Sequence, residues 1–268
     1  MNRKLSAIAL ALILTLGITP VLADNVKLTI GASPVPHAEI LNYVKPLLAE
    51  QGIDLTVTEF TDYVLPNLAL EEGDLDGNYF QHRPYLNDFN TNNDTHLVWL
   101  ADVHYEPMGV YPGKVKSLDD LADGAEVAVP NDTTNEARAL LLLESLGLIK
   151  LPEGAGLDVT VRDIVENPKN LKITELEAAQ IPRALPDFDI AVINGNYALE
   201  AGLKAGPDAL ASEAKDSLAA STFANGVVIK EGNEENETLL KLVEVLQSEE
   251  VRAFIEQTYS DAGYQAMF

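Results

Sequence analysis

The sequence predicts a two-lobed α/β protein. Strand patterns and helix patterns alternate from one end of the chain to the other, which is typical of α/β folds. At 268 residues the chain is long enough for two modest cores. A second series of strands and helices ends in a strand that can return the chain to the first lobe, as a hinged clamshell requires. We expect residues 24–111 and 227–268 to form lobe 1 and residues 112–226 to form lobe 2.

The first series of elements is predicted from residue type and period. Residues 26–31 (VKLTIG) and 55–60 (LTVTEF) have the β-branched content and the flanking signals of strands. Ile40, Leu41 and Val44 follow the stripe of an amphipathic helix. The expected strands are 26–31, 55–60, 76–80 and 96–101, and the expected helices are 36–49, 65–70 and one that begins near Pro84.

The second series follows a Pro-Gly loop. Helix 133–146 is the most clearly signalled element, because Asp132, or Thr133 together with Glu136, can cap its start. Gly147 can end the same helix. The expected strands are 125–130, 171–176, 189–194 and 223–230, the expected helices are 133–146, 235–247 and 249–258, and the expected hinges lie at 110–114 and near Asn225.

Residues 1–23 have the pattern of a secretory signal peptide. Arg3 and Lys4 form a charged start, residues 7–16 an apolar run, and residues 21–23 a small-residue cleavage site. A membrane anchor is the alternative, but the apolar run is short for a span. The chain contains no cysteine, so neither a lipid-modified cysteine nor a disulfide is available. We therefore expect a soluble protein exported to the periplasm.

Composition and motifs disfavour several other classes of protein. The net charge of −24 repels phosphate backbones, which argues against nucleic-acid binding. No G-x-S-x-G elbow, H-E-x-x-H pair, P-loop or G-x-G-x-x-G motif occurs, so we expect neither an enzyme nor a bound cofactor. A metal-binding protein is an alternative, because His37, His82, His96 and His104 could supply ligands. Their spacing matches no compact metal motif.

An aromatic cluster lies within residues 59–86, although the whole chain is only 6% aromatic. Ring faces and edges with one imidazole suit an apolar, polarisable side chain, including a thioether. The alternative is ordinary core packing. Tyr79 is expected to face the opposite side of its strand from its neighbours. The members of the cluster are Tyr63, Tyr79, Phe80, His82 and Tyr85.

The chain resembles the NlpA lipoproteins, the substrate-binding proteins of methionine-uptake ABC transporters. The motifs that carry the resemblance are ASPVPHAEI (32–40), EFTDYVLPNLAL (59–70), FQHRPYL (80–86), EPMGVY (106–111), VAVPNDTTNEARALLLLESLGLIKL (127–151), DIVENPKNLKITELEAAQIPRAL (163–185) and AVINGNYALEAGL (191–203). They span nearly all of the chain after residue 23, in the order of the family.

The resemblance implies a type II periplasmic-binding-protein fold and the capture of methionine, in the L form and with the D form as a further candidate. It also implies delivery to a membrane permease with a cytoplasmic ATPase partner. We expect the protein to act as a monomer. Another small apolar amino acid or a Met-containing dipeptide is the alternative ligand. Three departures from the family pattern are the missing lipobox cysteine, Thr133 in place of a common proline, and Phe223 in place of a common tyrosine.

The predicted ligand site divides by chemical group. Arg138 lies about one turn inside a helix start, where a cation is unfavourable unless an anion sits beside it, so we expect it to hold the ligand carboxylate. The alternative for Arg138 is an ion pair with Glu136 or a neighbour. Asn135, at the same helix start, either binds the ligand or caps the helix.

The resemblance places two further amides on the ligand backbone, where chain turns are their alternative role. Asn194 follows a strand end, the edge at which open α/β sheets bind ligands, and Asn225 lies near the return crossover. The rings of the aromatic cluster would then surround the thioether. The members that the resemblance assigns to this wall are Tyr63, Phe80, His82 and Tyr85.

Overall fold

Two mixed β-sheets organise the chain. The computed structural model describes residues 25–214 and 218–268, and the predicted signal peptide lies outside these ranges. The first sheet contains β1 (Val26–Ala32), β2 (Ile53–Glu59), β3 (Gly77–His82), β4 (Leu97–Tyr105), β10 (Asn225–Lys230) and β11 (Gln265–Ala266). The second sheet contains β5 (Gly109–Pro112), β6 (Glu126–Pro130), β7 (Lys172–Leu176), β8 (Ile190–Ile193) and β9 (Ala211–Ser212).

Helices accompany both sheets, and the predicted two-lobed α/β fold is confirmed. No helix within the described ranges has the length and apolar character needed to cross a membrane. The helices of the described chain are α1 (Glu39–Ala49), α2 (Leu65–Glu72), α3 (Arg83–Asn93), α4 (Thr133–Ser145), α5 (Ile181–Ala184), α6 (Gly195–Glu200), α7 (Leu218–Thr222), α8 (Glu237–Leu246) and α9 (Glu249–Thr258).

Strand direction brings the ends of several strands to one edge of each sheet. The first sheet has the order β11-β4-β10-β3-β1-β2, with β1 parallel to β2 and β3. The second has the order β7-β6-β8-β5-β9, with β6 parallel to β7 and β8. Because parallel strands place their carboxyl ends on the same edge, the residues after β3, β6 and β8 are available to a common site.

The chain crosses between the sheets twice, and both crossovers differ slightly from the predicted hinges. The sequence predicts a hinge at residues 110–114, but β5 occupies Gly109–Pro112 and pairs with β8 and β9 in the second sheet. It predicts Asn225 and Gly226 in lobe 2, but they begin β10 in the first sheet. The first prediction failed because β5 has only four residues and ends at Pro112, which is followed by Gly113, so that the sequence resembles a turn. The crossovers therefore lie at residues 106–108 and between Ser212 and Asn225.

The longer elements agree with the predicted ones, and the shorter ones were missed. In α1 the expected stripe is buried at Ile40, Leu41, Val44 and Leu48. Helix α4 starts at Thr133 with Asp132 as its N-cap, as expected. The elements α5, α6, α7, β9 and β11 have six residues or fewer, which is too short for a periodic pattern to emerge.

We expect Gly226→Ala to destabilise the protein, because this position in the lobe-1 sheet has no room for a side chain. A Cβ there would lie 2.2 Å from the backbone oxygen of Ala101 and 2.3 Å from the ring of Trp99. The free energy of unfolding should fall by about 3 kcal/mol, because the backbone of β4 has to shift. Urea unfolding of the variant measures this loss.

Gly154→Ala is the matched control for this substitution. Gly154 has a φ of +77°, and a Cβ at this position would have no neighbouring atom within 4 Å. Only backbone strain of about 1–2 kcal/mol is therefore expected there. A loss at Gly226 no larger than the loss at Gly154 would contradict the steric argument.

Candidate functional site

A cavity between the two sheets collects all eight residues predicted for the ligand site. The space open to the centre of a water-sized sphere is about 20 Å³, which has room for about one water molecule. Entry of a larger solute therefore requires the lobes to separate. The lining residues are Tyr63, Phe80, Gln81, His82, Tyr85, Glu106, Asn135, Arg138, Asn194, Gly195, Asn196 and Asn225.

Three rings form one side of the cavity, and we call Tyr63, Phe80 and Tyr85 the aromatic wall. The ring centroid of Tyr63 lies 5.9 Å from that of Phe80 and 5.7 Å from that of Tyr85. The Tyr85 hydroxyl donates to the backbone oxygen of Tyr63 at 2.9 Å, which fixes two of the rings. Tyr79 packs elsewhere, against His37 and the lobe-1 core, as the alternation of β3 predicts.

His82 ends β3 and connects the aromatic wall to lobe 2. Its Nδ1 accepts the backbone N–H of Tyr85 at 3.1 Å as the N-cap of α3, and its Nε2–H donates to Asn135 Oδ1 at 3.1 Å. These partners assign the neutral tautomer with the proton on Nε2. Burial, and then the nearby charge of Arg138, lower the pKa of His82 to about 3. The imidazole is therefore uncharged near neutral pH.

Asn135 is the centre of an amide network rather than a helix cap. The cap is Asp132, whose Oδ1 accepts the backbone N–H of Asn135 at 3.1 Å and its Nδ2–H at 2.8 Å. Asn135 Oδ1 in turn accepts from His82 and from Asn194 Nδ2, the latter at 2.8 Å. Both lone pairs of that oxygen are thus occupied. Asn135 joins the two lobes across the cavity.

Arg138 makes its strongest contacts with Glu213, which the sequence did not reveal as a partner. Nε and Nη2 of the guanidinium donate to Glu213 Oε1 and Oε2 at 2.8 and 2.6 Å. Nη2 also donates to the backbone oxygen of Glu106 at 2.9 Å, and the ring of Phe223 lies 4.2 Å from the guanidinium carbon. Glu136, the partner considered from sequence, instead accepts the backbone N–H of Val161.

This geometry limits how the guanidinium can meet a ligand carboxylate. The two-pronged Nε/Nη2 edge is taken by Glu213, so a ligand carboxylate can reach only the remaining nitrogen. Within the described ranges no hydrogen bond uses Nη1 of Arg138. Burial alone would raise the pKa of Glu213, but the charge and hydrogen bonds of Arg138 outweigh it and hold the pKa below its ordinary value. The pair is therefore ionised.

A buried cluster of His37, His104 and Glu106 stands behind the cavity. His104 Nε2 donates to Glu106 Oε1 at 2.8 Å, and its Nδ1 bonds the hydroxyl of Tyr79. His37 Nε2 donates to Asn225 Oδ1 at 3.0 Å and lies 3.4 Å from Glu106 Oε1. Burial lowers the pKa of His37 to about 4 and that of His104 to about 3, and burial raises the pKa of Glu106.

The same cluster bears on the metal-binding alternative. Two of the four histidines, His37 and His104, come together with Glu106, and one ligand atom of each lies within 4.8 Å of the others. His82 instead lines the cavity, and His96 is exposed. The Nε2 atoms of both clustered histidines already serve as hydrogen-bond donors. Through these bonds the cluster holds Glu106 and Asn225 at the cavity, while His37 Nδ1 is buried without a partner among the described residues.

Two buried polar atoms on the cavity lining lack partners among the described residues. They are Asn194 Oδ1, an acceptor, and Asn196 Nδ2, a donor. Buried polar atoms are rarely left unpaired without a reason such as a ligand. An acceptor and a donor close together, with an aromatic wall opposite, can bind a small molecule that has one charged end and one apolar end.

Sequence reasoning missed several lining residues and the partner of Arg138. Asn196 could have been found from the N-G-N triplet that follows β8. Gly195 has a packing reason of its own, because a Cβ there would lie 2.7 Å from Glu106 Cβ. Glu213 had no local signal, since its partner is 75 positions away. The residues missed are Gln81, Glu106, Gly195, Asn196 and Glu213.

Two sheets joined by two crossovers, with a small polar and aromatic cavity between them, define a substrate-binding protein of the two-lobed periplasmic type. The family is shown by comparison. A family model described as NlpA lipoprotein matches residues 28–268. The chain belongs to the NlpA lipoprotein family, as its motifs predicted.

Individual relatives agree with this membership. The D-methionine-binding lipoprotein MetQ of Escherichia coli (strain K12) is 49% identical over 202 residues, covering 75% of this chain and 73% of the relative. The structure of a nutrient binding protein from Burkholderia cenocepacia bound to methionine has a TM-score of 0.85 and 44% identity, covering 90% of this chain and 100% of that chain. A periplasmic substrate-binding protein of an ABC transporter from Coxiella burnetii has a TM-score of 0.83 and 38% identity, with the same coverage.

We expect acid to destabilise the fold through its buried neutral histidines. In the fold the pKa values of His37, His82 and His104 lie at about 4, 3 and 3, below the ordinary 6.5. Their stabilising effect is complete above the unfolded pKa and is lost as pH falls toward the folded values, because the unfolded chain takes up protons first. Each adds about 1.4 kcal/mol per pH unit to the slope of the unfolding free energy in that window.

Urea unfolding of His82→Gln between about pH 4.5 and 6 tests this expectation. The slope of its unfolding free energy against pH should correspond to about one proton fewer taken up on unfolding than in the wild type. His96→Gln, at an exposed histidine, is the control and should keep the wild-type slope. Identical slopes in wild type and His82→Gln would show that His82 is not held neutral by the fold.

Proposed function

We propose that this protein is the exported substrate-binding subunit of an ABC importer and that it captures methionine between its lobes. One observation carries the proposal: two polar atoms without partners among the described residues, Asn194 Oδ1 and Asn196 Nδ2, lie in the same cavity as the aromatic wall. Family membership supports it, as do the relative described as D-methionine-binding and the neighbour solved with methionine. In this proposal a permease and a cytoplasmic ATPase complete the importer.

The two charged groups of an amino acid find complementary partners in the cavity. The carboxylate is assigned to Arg138 Nη1 and Asn196 Nδ2, both of them donors. The ammonium is assigned to Asn194 Oδ1 and the Glu106 carboxylate, both of them acceptors. Charge-assisted hydrogen bonds of this kind are short and strong in a site that excludes water.

The side chain of the ligand is assigned to the aromatic wall and the edge of His82. A thioether sulfur is polarisable and makes favourable contacts at ring edges, and the surrounding methylenes gain from burial. Asn135 and Asn225 hold their neighbours in place, since most of their hydrogen-bonding capacity is already used.

Closure of the lobes is part of the proposed mechanism. Among the hydrogen bonds that join the lobes around the cavity in the described part of the chain are Tyr63 to Asn196 Oδ1 at 2.5 Å, Tyr197 to the Thr61 backbone oxygen at 3.2 Å, and His82 to Asn135. These bonds have to open for methionine to enter and can re-form when it is enclosed. Such closing around a solute is the hinge motion of two-lobed binding proteins.

The proposal places the protein in the periplasm as a monomer. Residues 1–23 have the signal-peptide pattern, and the chain offers no cysteine for lipid attachment. In this respect the chain differs from the relative described as a lipoprotein. Contact with the membrane would then occur through the transporter.

Methionine should raise the melting temperature of protein stripped of ligand by unfolding and refolding. A ligand that binds only the folded state adds about 2.7 kcal/mol at a hundredfold excess over its dissociation constant. Differential scanning calorimetry with methionine, leucine and glutamate measures both the effect and its selectivity, and a chelator should leave it unchanged. Absence of stabilisation by saturating methionine would reject the proposed function.

Arg138→Lys should weaken methionine binding although it keeps the positive charge. An ammonium cannot bond Glu213 in a two-pronged manner and reach the ligand as well, so the ligand carboxylate would face a poorly paired Glu213. We expect about ten- to hundredfold weaker binding, or about 1.4–2.8 kcal/mol, and a larger loss in Arg138→Ala.

Titration calorimetry on folded protein measures this change in affinity. Arg183→Lys, at an exposed arginine of the second lobe, is the control and should bind as the wild type does. An affinity of Arg138→Lys within threefold of the wild type would show that Arg138 does not anchor the carboxylate.

A further inference from the structure

Glu213 is the most heavily bonded carboxylate at the edge of the cavity. Besides the two bonds from Arg138, its Oε2 accepts the hydroxyl of Tyr105 at 2.8 Å and the backbone N–H of Met108 at 2.9 Å. The side chains of Arg138 and Glu213 are only 4% and 8% exposed. The carboxylate is therefore fixed in position and largely removed from solvent screening.

The position of Glu213 along the chain gives it access to both crossovers. It follows β9 on the segment that returns to lobe 1, whereas Tyr105 and Met108 flank the first crossover and Arg138 lies in α4 of lobe 2. A single carboxylate thus contacts both connections between the sheets and the cation of the proposed site.

The charges around the cavity have a simple balance. Arg138 and Glu213 cancel each other, which leaves the carboxyl groups of Glu106 on the lining and of Asp132 beside Asn135. A site with this balance attracts a ligand that brings its own cation and disfavours one that brings only an anion. Like charges a few ångströms apart interact strongly where water is excluded.

We propose that Glu213 is a specificity-determining residue that cancels the charge of Arg138, so that the site accepts zwitterionic amino acids and rejects anionic analogues with the same side chain. The inference rests on the proposed function, because it takes the ligand carboxylate to lie at Arg138. The disfavoured analogues are 2-oxo acids, which keep the carboxylate and lack the ammonium.

The competing explanation is that Glu213 only holds Arg138 in position. The other contacts of Arg138 allow this role to be tested separately from the role of the charge. The guanidinium is also held by the Glu106 backbone oxygen at 2.9 Å and by the ring of Phe223. Glutamine at position 213 would keep one carbonyl acceptor for the guanidinium and would remove the charge. Glu213→Gln therefore changes the charge of the site more than its geometry.

The experiment measures Glu213→Gln against three ligands with one side chain and different net charge. They are methionine (neutral), 4-methylthio-2-oxobutanoate (anionic) and methioninamide (cationic), each titrated by calorimetry. The ratio of the 2-oxo acid's affinity to that of methionine should be at least tenfold higher in Glu213→Gln than in the wild type. The ratio of methioninamide's affinity to that of methionine should be at least tenfold lower. If Glu213 only positioned Arg138, both carboxylate-bearing ligands would weaken relative to methioninamide, and that result would overturn the proposal.

Two variants serve as matched controls. Glu213→Asp keeps the charge and shortens the side chain, so the affinity ratios should stay within threefold of wild type even if the fold is less stable. Glu144→Gln removes a carboxylate from the same helix as Arg138, where Glu144 accepts the backbone N–H of Leu151 at 2.8 Å. It too should leave the ratios unchanged. A shift in either control as large as that of Glu213→Gln would overturn the proposal.

The wild-type protein supplies a test that does not depend on folding of a variant. Because Glu213 already offsets Arg138, the 2-oxo acid, which lacks the ammonium, should bind the wild type at least tenfold more weakly than methionine does. Equal affinities for these two ligands would overturn the proposal. Failure of the wild type to bind methionine at all would instead reject the proposed function, so the two failures are distinguishable.

Discussion

The buried ion pair between Arg138 and Glu213 is the interaction on which the site depends. Arg138 lies near the positive end of α4, where an unpaired buried cation would be strongly unfavourable. Glu213 removes that penalty by accepting two short hydrogen bonds, and its Oε2 also accepts from Tyr105 and Met108. The cation proposed to meet the ligand is therefore held by the same group that contacts both crossovers. A change in the angle between the lobes has to move this group or strain it.

The fold supplies this arrangement through strand direction. The residues that follow β3, β4, β6 and β8 meet at the facing edges of the two sheets, so polar groups distant in sequence share one cavity. Close approach is needed at one point, where Gly195 meets Glu106 and a side chain would collide. The cluster of His37 and His104 then holds Glu106 in place from behind. Each lobe contributes half of a site that exists only when both are present.

Much of the fold could be predicted from the sequence, because long elements repeat a period that short ones cannot show. Helix α4 and its Asp132 cap are evident from local pattern, whereas β5 is not, because a four-residue strand that ends at Pro112, just before Gly113, resembles a turn. The eight predicted lining residues were found mainly through family motifs, and their roles in binding stay predictions. The Glu213 partnership could not be found, since the 75 positions between the partners leave no local trace.

Unused hydrogen-bonding capacity separates binding residues from positioning residues in this cavity. Both acceptor sites of the Asn135 oxygen are occupied by His82 and Asn194, so Asn135 orders the network and has little left for a ligand. Asn194 Oδ1 and Asn196 Nδ2, by contrast, are buried without a partner in the described chain, an unfavourable state that a ligand's ammonium and carboxylate would relieve. Part of the binding free energy in such a site would come from giving these two buried atoms hydrogen-bond partners. In the proposed function, these two atoms would let a cavity built mostly from satisfied groups bind a charged ligand.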